Sequence, residues 1–156
     1  SNLSRRERIV HLSRRPTYET GEDLAREAGV AERLSNKWKC KVIKTPPKAP
    51  YDYCALRDDY ISAIIEIKVR NNASTKYPTY MLSVDKVIQC ALHSGTIRCP
   101  FIVVVQFTDK LLHWVLHNPD EDFADVRAKI GGRTDRGDAF DVEPVLHIPM
   151  RKFEEV

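Results

Sequence analysis

Residues Tyr51–Arg70 read YDYCALRDDYISAIIEIKVR, and their alternation decides the architecture. In a strand successive side chains point to opposite faces, so Glu66 and Lys68 share one face while Ile65, Ile67 and Val69 take the other. Two charges therefore sit inside a strongly apolar strand. Burying an acid and a lysine side by side costs several kcal/mol, of order ~2–7, unless something pairs them; a hard divalent cation with a polarised water would do so. Asp52 opens the preceding short strand, and the turn at Arg57-Asp58-Asp59 returns the chain antiparallel. That return brings the Asp52 carboxylate towards Glu66, and the stretch predicts a site of two carboxylates and one lysine.

Outward from this hairpin the elements alternate. Upstream, a helix starts at Thr20, with Glu22 and Asp23 at the positive end of its dipole and Leu24, Ala28, Ala31 and Leu34 at helical spacing. At about 100° per residue Glu27 falls inside that apolar stripe, Glu32 on its edge and Glu22 nearly opposite. Trp38, Cys40 and Val42 alternate with lysines, which predicts a half-buried strand and a meander of strands at about 38–44, 51–56 and 60–70. Asn71 to Thr75 is a polar loop that could be a mobile flap or an ordinary connection. Ser83 caps a helix running to about His93, with Val84, Val87, Ile88 and Ala91 as its buried stripe. The run Phe101–Phe107 is continuously apolar, as in a strand covered on both faces, and a hairpin leads to Leu111–His117. The predicted order is αβββαββ, an α/β (α+β layered) domain with a mixed sheet flanked by helices.

Beyond that core, Asp120–Ile130 reads as a short amphipathic helix, residues 131–138 as a glycine-rich loop, and Val145–Pro149 as an edge strand. The loop lacks the spacing and flanking strand of a P-loop, which argues against a nucleotide cofactor. Residues 1–16 read as a basic N-terminal arm and 17–156 as a single domain, with its core at about 20–116 and a C-terminal extension at 117–156.

The 156 residues carry 25 Lys+Arg against 22 Asp+Glu, net +3, so the surface is mixed rather than polybasic. Distribution says more: Arg5, Arg6, Arg8, Arg14 and Arg15 crowd the N-terminus, and Lys37, Lys39, Lys41, Lys44 and Lys48 follow. Those lysines read either as a solvated face or as a phosphate-tracking one. No apolar run is long enough to span a bilayer and no signal-like segment follows the basic start, so the expectation is a soluble cytoplasmic protein without a membrane partner. The four cysteines lack close-paired metal spacing and read as reduced core thiols. His113, His117 and His147 read as structural.

The pattern of Asp52 followed by Glu66-x-Lys68 at the end of an apolar strand, with a helix before and another after, resembles the PD-(D/E)XK nuclease superfamily over roughly residues 20–116. Tyr51 separates Pro50 from Asp52, so the proline of the motif's name is displaced, but that proline does no chemistry. The resemblance implies a restriction-endonuclease-like fold and a deoxyribonuclease dependent on Mg²⁺ or Mn²⁺. It implies Asp52, Glu66 and the Ile67 carbonyl as metal ligands, with an added acid from the first helix, for which Glu27 fits better than Glu32 or Glu22. Glu27 could equally bond a basic neighbour. Lys68 would orient or stabilise the attacking hydroxide, and the helix after the catalytic strand would turn Lys86 or Gln89 to the site.

Ser83 and Lys86 at a helix N-terminus suit a phosphate as well. Arg70, Arg133 and Arg136 are further candidates for contact with DNA. A homodimer is expected on the ground that cutting two strands wants two sites. Two other readings stay open on sequence grounds: a nucleic-acid-binding or assembly module that keeps the fold without cleaving, and a simple cross-strand Glu-Lys pair in an unrelated fold.

Overall fold

The computed structural model describes residues 21–117, 122–132 and 142–156. Helix α1, Gly21–Trp38, buries Glu27, Val30, Ala31 and Leu34, with Glu22 and Asp23 in its first turn and Lys37 in its last. Of the stripe expected from the sequence, Ala31 and Leu34 are buried and Leu24 is half-buried, whereas Ala28 is exposed and Val30 is buried in its stead. Lys39 then takes a left-handed φ of 53° and the chain enters β1, Lys41–Lys44. Trp38 therefore closes a helix instead of opening a strand. The spacing Leu34, Trp38 fits a helical stripe as well as Trp38, Cys40 fits an alternating one, and the helix takes the ambiguous residue. As a result the five lysines do not line one strand face; they are spread, all exposed, over the end of α1, the turn, β1 and the proline loop.

Strands β2, Tyr53–Arg57, and β3, Tyr60–Val69, form the central hairpin. Asp58 and Asp59 both have positive φ, 49° and 66°, the two left-handed residues that a type I′ hairpin turn requires. A register shift at Ala55/Leu56 leaves Ser62 as the extra residue, and its hydroxyl donates to the Ala55 carbonyl. Beyond β3 come β4, Thr79–Ser83, and helix α2, Val84–Ile97. The chain then returns as β5, Phe101–Gln106, parallel to β3, and turns into β6, Leu111–Leu116. With the short C-terminal β9, Glu154–Glu155, these make a mixed sheet of order β1-β2-β3-β5-β6-β9.

A second, antiparallel sheet of order β4-β8-β7 joins β4 to β7, Arg127–Gly132, and β8, Val142–Pro149. Three expectations change here. Thr79–Ser83 is a strand. Residues 127–130 are strand rather than the end of a helix, because Gly131-Gly132 favour no helix and β8 supplies a full ladder from Arg127↔His147 to Gly132↔Val142. Val145–Pro149 is the centre of its sheet and not an edge. Residues 118–121 and 133–141 lie outside the described residues, as do 1–20, so the basic arm and most of the glycine-rich loop are not placed.

Two cores result, one on each face of the large sheet. Val30, Ala31 and Leu34 of α1 pack on Ile65, Ile67 and Val104. Val87 and Cys90 of α2, with Tyr80, Leu82 and Ile148 of the second sheet, pack on Ile64, Val103 and Val105. The fold is thus the layered α+β arrangement with a mixed sheet between helices, enlarged by a small sheet beside α2. Among the described residues no helix is long and apolar enough to cross a membrane.

All four cysteines are unpaired thiols, Cys40 half-buried and Cys54, Cys90 and Cys99 buried. Burial pushes the buried thiols up, Cys90 to about 12, which suppresses the reactive thiolate. A thiol reagent at pH 8 should modify Cys40 alone in the native protein and the other three only on unfolding. Fast labelling of Cys90 would contradict this packing.

Candidate active site

Glu66 lies in β3 between Ile65 and Ile67 and is 2% exposed. It faces the α2 layer with Ile64 and Lys68, as strand alternation requires. The Lys68 ammonium stands 3.1 Å from Glu66 Oε1. Burial of the lysine opposes its charge, but the adjacent Glu66 carboxylate, then Tyr80 and Asp52, outweigh that and raise its pKa. The pairing with Glu66 thus favours the charged ammonium of Lys68.

Asp52 sits in the loop that enters β2, anchored by its carbonyl, which accepts the Thr45 N–H at 2.8 Å. Between the two carboxylates stands the ammonium of Lys86, from the first turn of α2. It lies 3.4 Å from Glu66 Oε2 and 3.8 Å from Asp52 Oδ1, and it donates to the Pro50 carbonyl at 2.9 Å. The approach to Glu66 is electrostatic only: Oε2 is a buried oxygen with no hydrogen-bond partner.

The backbone adds a further oxygen. The N–H groups of Ile64 and Arg70 donate to Pro100 and Gln106 at 3.0 and 2.9 Å, both on the β5 side. These directions alternate along a strand, so Ile67 turns its carbonyl the opposite way. On that side the β2 ladder has ended, at Tyr53 opposite Ile65, and Asp52 is the next residue back. Asp52, Glu66 and the Ile67 carbonyl are the oxygens that could be offered to a hard cation such as Mg²⁺ or Mn²⁺. Two features favour a cation there: the unpartnered Glu66 Oε2 and the ammonium already drawn between the carboxylates. Among the described residues there is no group of three or more His, Cys, Asp or Glu side chains of metal-holding geometry, so the remaining positions would fall to water and substrate.

These groups open into a cleft of about 590 Å³ that also receives Arg70, Ser83 and Gln89. Arg70 donates to the Tyr80 hydroxyl at 3.0 Å and to the Val69 carbonyl. Ser83 caps α2, accepting from the Lys86 N–H, and donates to Glu143 at 3.1 Å. Gln89 is bonded to Asp85 at 3.1 Å. The acids Asp85 and Glu143 and the phenol of Tyr80 also line the cleft, and the sequence did not point to them; Tyr80 and Glu143 belong to the small sheet, whose pairing spans more than sixty residues.

Glu27 is buried, as its place in the stripe requires, but it does not line this cleft. Its helix covers the other face of the sheet, and Glu27 is engaged in an interaction of its own. Glu22 and Glu32 are exposed. Arg133 and Arg136 lie outside the described residues. Of the histidines, His113 bonds the Glu154 carbonyl at 2.9 Å and His147 the Thr79 hydroxyl at 3.1 Å, as structural histidines do.

Residues 13–156 match the model of the family described as "Phage putative PDDEXK endonuclease". The chain belongs to this family. It is a nuclease family, and its name spells the Asp and Glu-x-Lys elements that Asp52 and Glu66-Ile67-Lys68 resemble. No curated protein matches the chain. Among solved structures it is similar to Hjc, a Holliday junction resolvase of Archaeoglobus fulgidus. Identity is 18% over 76% of this chain and 85% of that one, with a TM-score of 0.46.

Lys86→Met removes the cation 3.4 Å from Glu66 Oε2, a buried oxygen with no hydrogen-bond partner. It should lower stability in metal-free buffer by about 1–3 kcal/mol in urea denaturation. An unchanged midpoint would show that Glu66 is satisfied without it.

Proposed function

We propose that the chain is a deoxyribonuclease that hydrolyses DNA phosphodiester bonds with a divalent cation, Mg²⁺ or Mn²⁺, held by Asp52, Glu66 and the Ile67 carbonyl. The observation that carries this reading is Glu66 itself: a carboxylate buried in the central strand, facing Asp52 across an ammonium, with a second ammonium fixed on the same strand face. Membership of an endonuclease family supports it. When bound, such a cation lowers the pKa of water and offsets charge on the scissile phosphate.

The chain's own residues do the rest. Asp52 and Glu66 would supply the negative charge that holds the cation in a cleft shared with Lys68, Lys86 and Arg70. Lys68, whose ammonium lies 3.1 Å from Glu66, stabilises negative charge that develops on the attacking oxygen and the phosphoryl group. Lys86 is held by Coulomb attraction and one carbonyl at a helix N-terminus, a place that favours an anion as well, and its ammonium would bind the incoming phosphate once Asp52 and Glu66 are engaged by the cation. Arg70 stands at the cleft wall as a further phosphate contact. Glu27 contributes, on this reading, only through the packing of α1. Both strands of a duplex need two such clefts, which two copies of the chain would supply.

Asp52→Ala and Lys68→Ala should each reduce metal-dependent cleavage of DNA by about 10³-fold, with circular dichroism unchanged. Cleavage retained in either variant would overturn the assignment of these residues.

A further inference from the structure

Next to the catalytic cleft lies a second cavity, of about 470 Å³, within the range of about 300–1,000 Å³ typical of small-ligand sites. Arg70, Tyr80 and Met81 line both, so the two share a wall. We propose that this second cavity is a subsite for one nucleobase of the DNA substrate, taken out of the base stack beside the scissile phosphate. The preferred substrate is then DNA with an unpaired nucleotide at the point of cleavage, as at a gap, flap or branch, rather than an uninterrupted duplex. The identification of the bound strand rests on the nuclease reading of the neighbouring cleft.

The walls suit a base. Tyr77, Met81 and Phe107 offer apolar and aromatic surface, while Arg70, Thr79 and His147 place polar groups along the margin. A nucleobase needs this combination, an apolar platform for its π-face and donors or acceptors for its edge. Tyr77 is 56% and Met81 52% exposed, large apolar side chains that folding alone leaves in water. The Lys76 ammonium lies over one face of the Tyr77 ring, 5.4 Å from its centroid, which puts positive charge beside the platform. Arg70 spends one bond on Tyr80 and one on Val69, and a guanidinium carries more N–H donors than these use.

The cavity is also built in advance. Its loop is pinned by Asp109, whose carboxylate accepts the Ser74 N–H at 2.8 Å and the Ser74 hydroxyl at 2.7 Å. The Asn72 carbonyl accepts the Thr108 N–H at 3.1 Å, and Arg26 donates to Asn71 at 2.8 Å. Tyr80 is fixed edge-on to Phe107 with centroids 6.4 Å apart. The segment that reads in sequence as either a flap or a plain loop is thus a tethered wall, and a ligand pays little to order it.

The test uses a duplex carrying a single unpaired 2-aminopurine and the matching full duplex, titrated in EDTA so that no cleavage enters. Wild-type protein should quench the probe and bind the interrupted DNA about tenfold more tightly than the full duplex. Tyr77→Ala should lose both the quench and the preference, and Tyr77→Phe should keep them. Equal affinity for the two DNAs, an unquenched probe, or a Tyr77→Ala variant indistinguishable from wild type would overturn the proposal. A metal-containing cleavage assay on both DNAs separates the two readings: quenching without cleavage of either DNA keeps the base subsite and removes the catalytic assignment, whereas cleavage without quenching or preference does the reverse.

Discussion

Placing the Glu66 carboxylate inside an apolar strand constrains everything around it. Ile64, Ile65 and Ile67 leave it almost no water, and an uncompensated buried charge is among the most destabilising features a fold can hold. Compensation comes from two ammonium groups with different origins. Lys68 is supplied by the strand itself, two residues on and on the same face. Lys86 comes from α2, so the crossover from β3 to β5 must set the first turn of that helix directly over the carboxylates. The abutment of β4 and α2 at Ser83, strand end and helix cap at once, fixes this placement. Glu66 Oε2 nevertheless stays without a hydrogen bond. A structure optimised for stability alone would fill or remove such a vacancy, whereas functional sites commonly retain one.

Much of this was legible because it is local. The period of two along Tyr60–Val69 placed Glu66 and Lys68 together, the paired aspartates at 58–59 gave the turn, and the stripe of α1 showed that Glu27 would be buried. What that stripe could not show is which face of the sheet the helix would cover, and the answer separates Glu27 from the cleft. Trp38 was ambiguous because its spacing satisfies both a helix and a strand, and the left-handed Lys39 decides the matter only in three dimensions. Strands β4 and β7 have no local signature for another reason: each is short and finds its partner in β8, and the pairing Tyr80↔Ile148 joins residues far apart in the chain. Tyr80 and Glu143 enter the cleft through that pairing, so no local pattern could announce them.

The Arg70–Tyr80 contact links the small sheet to the large one and forms the boundary between the two cavities. Burial holds the Tyr80 phenol above its ordinary pKa against the pull of Arg70 and Lys68, so this wall is a neutral hydroxyl bonded to a guanidinium. The two cavities therefore share this wall, and the small sheet supplies Tyr80 and Met81 to it.

The central proposal is that Asp52 and Glu66 would hold a divalent cation. Calorimetric titration of Mn²⁺ into the wild-type protein and into Glu66→Gln tests it most directly. The account predicts saturable binding to the wild type and its loss in the variant. Equal binding by both, or none by either, would contradict it and leave the buried carboxylate as a structural ion pair.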